Sequence, residues 1–244
     1  MADTSTSNSE TPRFRQIVEA LREQITNGKL PEHSPLPSER LLAEDHAVSR
    51  MTARRALEAV EAEGLVYNIV RQGRFVSPRR LNYNISSMAN FVSDARSRGI
   101  DLSIELIGSR AIRADRHIAE KLSVPRGTQL QESVRLFKMR DHATFLETEL
   151  SILERCKGLP GFEELQSRPV CDQRYSPLGE SADIVIRLHA LNPDEAGKLG
   201  MAPHQPAMKQ EQLVRDENGV AFCYCLQIWR GELAEFSARS LVIV

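Results

Sequence analysis

The sequence predicts an α+β fold in two units, a small N-terminal one of three helices closed by a β-hairpin and a larger C-terminal one built on an antiparallel sheet. Three observations carry the prediction. Three stretches with helical hydrophobic spacing, followed by two short β-type runs, fill residues 12–78. Beyond residue 85, strand-like runs alternate with short capped helices. That second region also repeats itself: Ala119, Lys121 and Leu122 recur as Ala196, Lys198 and Leu199, Leu136 as Leu213 and Phe145 as Phe222, each 77 residues on. Two helix-then-hairpin units can pair their strands into one antiparallel sheet, with helices beside it and a cleft between the halves.

In the N-terminal unit, Phe14, Ile17, Val18, Leu21 and Ile25 form the apolar stripe of a first helix. Asn27-Gly28 stops it, because glycine accepts the left-handed conformation at a helix end. A proline-rich loop, LPEHSPLP, follows. Ser38 opens a short second helix as its N-cap, with Leu41 and Leu42 expected to bury and Glu39, Arg40 and Glu44 to stay in solvent. Ser49 caps a third helix whose inward face is Ala53, Ala56, Leu57 and Val60, and Gly64 ends it. Arg50, Thr52, Arg54 and Arg55 crowd its first turns. The runs GLVYNI and GRFVSP, joined through Val70-Arg71-Gln72-Gly73, complete the order of a winged helix-turn-helix. In that arrangement the third helix enters the major groove by its N-terminal end. There the guanidinium forks of Arg50 and Arg54 reach guanine O6 and N7 or a phosphate. Arg71, Gln72 and Arg74 on the wing are placed to touch the adjacent minor groove or backbone.

Composition sets the frame for this reading. The chain of 244 residues is 41% hydrophobic, and no apolar run approaches the ~20 residues that span a bilayer. Residues 1–11 are polar and rich in Ser and Thr, a disordered lead-in without the apolar core of a signal peptide, so a cytoplasmic protein is expected. The net charge of −1 argues against indiscriminate nucleic-acid binding. The charge is uneven, however. Residues 12–80 carry 12 Lys and Arg against 9 Asp and Glu, and residues 81–244 carry 20 against 22. Of the four cysteines, Cys156, Cys171, Cys223 and Cys225, the last two alternate on one face of a strand and read as packing residues. Neither a metal site nor a cofactor is expected. The absence of a Ser/His/Asp set, a metal cluster or a phosphate loop argues against an enzyme. A structural DNA-packaging protein would not need so large a mixed C-terminal unit.

The stretch LPSERLLAEDHAVSRMTARRALEAVEAEGLV, followed by RQGRFV, resembles the DNA-binding signature of GntR-family regulators. The resemblance covers almost all of residues 12–78. It implies operator contacts for Arg40, Ser49, Arg50, Thr52 and Arg54, with Gln72 and Gly73 at the wing tip and Arg40 near the phosphates. One departure stands out. The family usually places an aromatic residue and glycine in the helix-turn-helix turn, where this chain has His46-Ala47. Alanine is costlier than glycine if that position needs positive φ, and His46 is expected to be a partly buried packing residue.

Residues 79–84 read as a linker. Beyond it, ISSMANFVSDARSRG suggests a short helix closed by Gly99, SIELIGSRAI a strand and HIAEKLSV a helix. TQLQESVRLFKM and ATFLETELSIL read as paired strands turning at Arg140-Asp141-His142. SADIVIRLHAL is a strand, and NPDEAGKLG a helix with Asn192 as N-cap and Pro193 at its first position. AMKQEQLVRD and VAFCYCLQIWR form a hairpin across Glu217-Asn218-Gly219, where Asn-Gly signals a type I′ turn.

The order of these elements resembles the UTRA effector domain of the HutC subfamily of GntR regulators, over residues 85–244. FLETELSIL, LNPDEAGKLGM and IWRGELAEFSARSLVIV support the likeness. It implies a chorismate-lyase-like fold used to bind a small-molecule effector, a homodimer and a near-palindromic double-stranded operator. It also implies effector contacts. Arg135 and Glu147 match an arginine and a glutamate that recur on adjacent strands, the first as an anion hook and the second as an acceptor. Asn90 and Phe91 mark a helix start that could offer backbone amides to an acid group, and Tyr175, Tyr224 and Trp229 are wall candidates. Phe137 stands where many members have a second arginine, and Cys223 where a carboxylate is common. Both changes point away from a sugar-phosphate site. The same residues leave open a cross-strand ion pair between Arg135 and Glu147 that is structural only.

Overall fold

The computed structural model describes residues 12–78, 80–85, 95, 99–156, 179 and 181–239. They fall in two compact units, Met1–Arg79 and Arg80–Val244. The lead-in over residues 1–11 and nearly all of the helix expected from ISSMANFVSDARSRG lie outside the described residues.

The N-terminal unit holds helices α1 (Arg13–Thr26), α2 (Glu39–Asp45) and α3 (Arg50–Ala62) and strands β1 (Val66–Ile69) and β2 (Gly73–Val76). Its core joins Ile17, Val18 and Leu21 of α1, Leu42 and Ala43 of α2, and Ala53, Ala56, Leu57 and Val60 of α3 to Val66. The caps follow the sequence. Ser38 Oγ accepts from the Leu41 N–H at 3.3 Å and Ser49 Oγ from the Thr52 N–H at 3.1 Å. Gly28 and Gly64 end α1 and α3 with positive φ. Two expectations fail in α2 and its turn. Leu42 and Ala43 face the core, which turns Leu41 outward, and His46 is exposed rather than packed.

The C-terminal unit contains a six-stranded sheet in the order β4 (Leu102–Arg113), β5 (Gln129–Met139), β6 (His142–Ile152), β9 (Ala221–Trp229), β8 (Pro206–Arg215), β7 (Ser181–Ala190), every neighbouring pair antiparallel. Helix α4 (Arg116–Leu122) lies between β4 and β5 in sequence, and α5 (Leu153–Cys156) is a single turn after β6. Helix α6 (Pro193–Leu199) lies between β7 and β8 and starts on a capping box formed by Asn192 and Glu195. The residues expected as a linker over 79–84 include a strand instead. Strand β3 (Leu81–Asn84) pairs in parallel with β10 (Ala234–Ser237), because Leu81 and Tyr83 alternate inward to bury beside Trp229.

The 77-residue repeat is an architectural one. β4-α4-β5-β6 and β7-α6-β8-β9 are two copies of one motif, joined by β6 against β9. Leu136 pairs with Leu146, and its counterpart Leu213 pairs with Tyr224. The spacing is therefore 77 residues for the first strand of each hairpin but 78 for the second. The extra residue sits in the loop. Arg140-Asp141 closes the first hairpin with positive φ at both positions, whereas Glu217-Asn218-Gly219 closes the second with positive φ only at Gly219. The type I′ turn expected there does not form. Asp216 Oδ1 accepts from the N–H groups of Asn218 and Val220 and holds a three-residue loop instead. A one-residue slip reverses side-chain direction. Phe145 and Phe222, matched by spacing, consequently lie on opposite faces of the sheet.

Ala47 has φ +49°, and its carbonyl accepts from Arg13 Nη1 at 3.1 Å. A left-handed alanine costs roughly 1–2 kcal/mol, partly offset because glycine adds unfolded-state freedom worth about 0.4–1 kcal/mol. Ala47→Gly should stabilise this unit by about 0.5–1 kcal/mol. The check is hydrogen exchange of the α2 and α3 amides, which should slow by the corresponding factor.

Candidate functional site

In the N-terminal unit, the buried stripe of α3 leaves Arg50 and Arg54 exposed, one turn apart at the start of the helix. Arg54 Nε donates to Glu58 at 2.8 Å and Arg40 Nη1 to Glu44 at 2.8 Å, both exposed pairs one helical turn apart. Ser49 and Thr52 are occupied with each other, their hydroxyls 2.9 Å apart, so their first task is to begin α3. In the wing, Val70, Arg71 and Gln72 link Ile69 to its partner Gly73. Arg71 has φ +66° and Gly73 φ +105°. Arg74 does not join the exposed set. It donates to Glu61 at 2.9 Å and lies 3.6 Å from Glu39, tying the wing to α3 and α2. Arg55 likewise turns away, stacking over the Phe14 ring at 4.2 Å.

In the C-terminal unit, the sheet register sorts the candidates by face. Arg135 pairs with Glu147, Glu147 with Gln227 and Phe145 with Trp229, so all of these share one face. The opposite face carries Leu136, Leu146, Leu150, Phe222 and Ile228 and is covered by α4 and α6. Tyr224 belongs to that helix-covered face. It lies with its ring 5.8 Å from Lys121 Nζ and is hydrogen-bonded to Glu211, so it is not grouped with Arg135 and Glu147. Burial raises the Tyr224 pKa, and the Glu211 charge pushes it further. Asn90, Phe91 and Tyr175 lie outside the described residues.

The face with Arg135 is polar yet buried. Arg135 Nη1 lies 3.2 Å from Glu147 Oε1 and 3.4 Å from Glu149 Oε2, and all three residues are at least 98% buried. Gln227 Nε2 donates to Glu147 Oε2 at 2.8 Å, and the Trp229 indole N–H donates to Gln227 Oε1 at 3.0 Å. Trp229 thus positions Glu147 through Gln227. Its ring stacks on Phe145 at 3.8 Å in an aromatic cluster with Phe137 and Tyr83, closing this end of the face. Ser151 Oγ reaches Glu149 and the Cys223 sulfur. Gln210 donates to the Tyr83 hydroxyl, and its carbonyl oxygen and that of Gln212 are buried with no hydrogen-bond partner among the described residues. Glu149, Gln210, Gln212 and Gln227 were not singled out from sequence. The signal was there in the period-two alternation of ETELS and KQEQL. Alternation alone does not reveal that a polar face is covered.

Glu211, on the helix-covered side, carries a second network, with Lys121 Nζ at 3.0 Å and Arg187 and Lys209 each at 3.5 Å. Burial works to raise its pKa. Hydrogen bonds from Lys121 and Tyr224 and the charges of Lys121 and Lys209 outweigh it and hold the carboxyl below its usual range.

Two mutational outcomes follow from these networks. Arg135→Ala removes the guanidinium between two buried carboxylates and should cost about 3–5 kcal/mol in a urea titration. A depressed carboxyl pKa contributes stability above the unfolded-state value that is lost as pH falls through the folded one. Glu211→Gln should therefore flatten the acid side of the stability curve below about pH 4.5, read as melting temperature against pH.

Comparison with known proteins places both units. Residues 14–76 match the family model of bacterial regulatory proteins, gntR family, and residues 97–235 match the UTRA domain. The HTH-type transcriptional repressor NagR of Bacillus subtilis is 29% identical over 229 residues, 93% of this chain and 94% of its own. The histidine utilization repressor of Klebsiella aerogenes is 25% identical over 208 residues, 82% of this chain and 83% of its own. The crystal structure of PhnF from Mycobacterium smegmatis shares the fold with a TM-score of 0.60 at 21% identity, over 93% of this chain and 100% of that one.

Proposed function

The chain belongs to the gntR family of bacterial regulatory proteins, in the branch that carries a UTRA domain, and from that premise we propose that it is a repressor of a metabolic operon, released from its operator by a small metabolite bound in the UTRA domain. The observation that carries this reading is the pairing, in one chain, of an exposed arginine-bearing helix start with a sheet whose polar face is buried. NagR and the histidine utilization repressor are both repressors by name, which supports the sign of the regulation. The operator contacts proposed are Arg40, Arg50 and Arg54, with Ser49 and Thr52 setting the helix start and Gln72 and Gly73 at the wing tip. A single winged helix reads only a few base pairs, too few to select one genomic site. The working form is accordingly a homodimer on a near-palindromic operator, acting in the cytoplasm. Among the described residues no helix is long and apolar enough to cross a membrane. The UTRA domain is read as a sensor and not as a catalyst.

We place the effector on the polar face, at Arg135 and Glu147 with Glu149, Gln212 and Gln227. Arg135 would answer an acid group only by sharing its guanidinium with Glu147 and Glu149. A ligand that offers hydrogen-bond donors as well as an acid group fits this face better than a bare anion. The complete burial of Arg135 supports a second reading, in which its ion pairs are purely structural. Glu149→Gln and Gln212→Leu separate the two, since neither strands the guanidinium. Near-normal melting with loss of release supports the ligand site, and unchanged release supports the structural pair.

The experiment that tests the whole reading is a footprint of the full chain on genomic fragments, repeated with candidate metabolites. Protection of one near-palindrome, relieved by one compound, is the expected result. Protection without sequence preference would overturn it, and sedimentation of a monomer bound one-to-one to the operator would overturn the dimer. Within that assay, Arg50→Ala and Arg54→Ala should each weaken binding by about 1–3 kcal/mol if the side chain reads a base. The fold should be kept, since both side chains point outward.

A further inference from the structure

Helix α3 buries Ala53, Ala56, Leu57 and Val60. At about 100° per residue, the crest opposite that stripe is formed by Met51, Arg55, Glu58 and Ala62, of which Arg55 folds back over the Phe14 ring. Arg50 and Thr52 sit on the flanks of the helix, and Arg54 between flank and crest. Met51 is therefore the side chain of the first turn that points most directly away from the domain. It is 70% exposed, far more than any core residue of the unit. A lone exposed apolar side chain needs no explanation by itself. This one differs by position. It stands in the first turn of the helix that the proposed function sets into the major groove, next to Arg50 and within a turn of Arg54. The floor of that groove presents base edges, and the apolar group among them is the thymine C5-methyl. A thioether side chain is long, unbranched and adaptable, suited to covering a methyl group without competing for its hydrogen-bonding neighbours.

We propose that Met51 is a specificity-determining residue that reads a thymine methyl in each operator half-site, beside the polar contacts of Arg50 and Arg54. The inference rests on the DNA-binding reading above. Burying one methyl group corresponds to about fourfold in affinity, so the contact distinguishes thymine from cytosine or uracil at one position without dominating the binding.

The test uses the full chain and the duplex recovered from genomic fragments by footprinting. Each thymine of the protected half-sites is replaced in turn by deoxyuridine, which removes the methyl and keeps the pairing. Dissociation constants are measured by fluorescence anisotropy for the wild type, Met51→Ala and Met51→Leu. At one thymine position the wild type should lose about fourfold per half-site. Met51→Ala should bind the two duplexes equally, and Met51→Leu should keep part of the discrimination. Methyl effects that are the same in wild type and Met51→Ala at every position, or absent from both, would overturn the inference while leaving the regulator reading intact. Recovery of no preferred duplex would overturn the DNA-binding reading and this inference with it. Melting curves of the variants should coincide with the wild type, as expected for a side chain outside the core.

Discussion

The pairing of β6 with β9 is the constraint on which the C-terminal unit depends. Among the described strands it alone joins the two copies of the repeated motif. Thr148 opposite Leu226 marks the pseudo-two-fold axis, because those two positions are also 78 residues apart, the spacing of the second hairpin strands. Side chains alternate along a strand, so this one register decides the content of both faces. A shift of one residue would carry Glu147 and Glu149 beneath the helices and turn Leu146 and Leu150 toward the glutamines. Helices α4 and α6 find an apolar floor because the register keeps Leu136, Phe222 and Ile228 on their side.

The frame is symmetric and its polar contents are not. Across the axis, Arg135 corresponds to Gln212, Glu147 to Cys225, Glu149 to Gln227 and Ser133 to Gln210, by the same 77- and 78-residue spacings. At these four pairs of positions all the charge lies in the first copy and the carboxamides lie in the second. A buried charge is tolerable only with partners that replace its hydration. The first copy supplies them internally through the Arg135 pairs, and the Glu147–Gln227 hydrogen bond carries that network across the seam. Such a face distinguishes its two ends, so a small ligand bound on it would have a defined orientation.

What the sequence made legible was the chemistry that acts locally. Ser38 and Ser49 cap their helices and Gly28 and Gly64 end theirs because capping involves only neighbours along the chain. The cost of alanine in the helix-turn-helix turn was legible for the same reason, as positive φ at Ala47. Partner-dependent features were not. Leu41 and Leu42 are equally apolar, and only the packing of α2 on its neighbours chooses Leu42. Leu81 and Tyr83 pass for a linker until β10, far along the chain, supplies a pairing edge. Arg74 is as basic as Arg71, yet Glu39 and Glu61 claim it. On the sheet, the 77-residue repeat was visible and the extra loop residue that turns Phe222 and Tyr224 to the helix side was not, because Asp216 stabilises the longer turn through contacts spacing does not encode. Arg135 and Glu147 could be matched, but Glu149, Gln210 and Gln212 became site candidates only once their face proved to be covered.

The N-terminal unit answers the question its charge raises. Its surplus of basic residues is small, and several arginines already have carboxylate partners: Arg22 with Glu63, Arg40 with Glu44, Arg54 with Glu58 and Arg74 with Glu61. Exposed pairs such as Arg40–Glu44 and Arg54–Glu58 are worth only about 0–1 kcal/mol, so phosphate or guanine can take those arginines at little cost. Arg74, one-fifth exposed and held by two carboxylates, is much less available. On the operator contacts proposed above, the glutamates left behind would lie close to the DNA backbone and repel it. That repulsion reduces the sequence-independent, salt-sensitive attraction on which non-specific binding depends. It does not touch hydrogen bonds and apolar contacts to base edges, which carry the sequence information. On that proposal, a winged helix with this charge arrangement would derive its preference for an operator from the few side chains at the start of α3 and not from bulk charge.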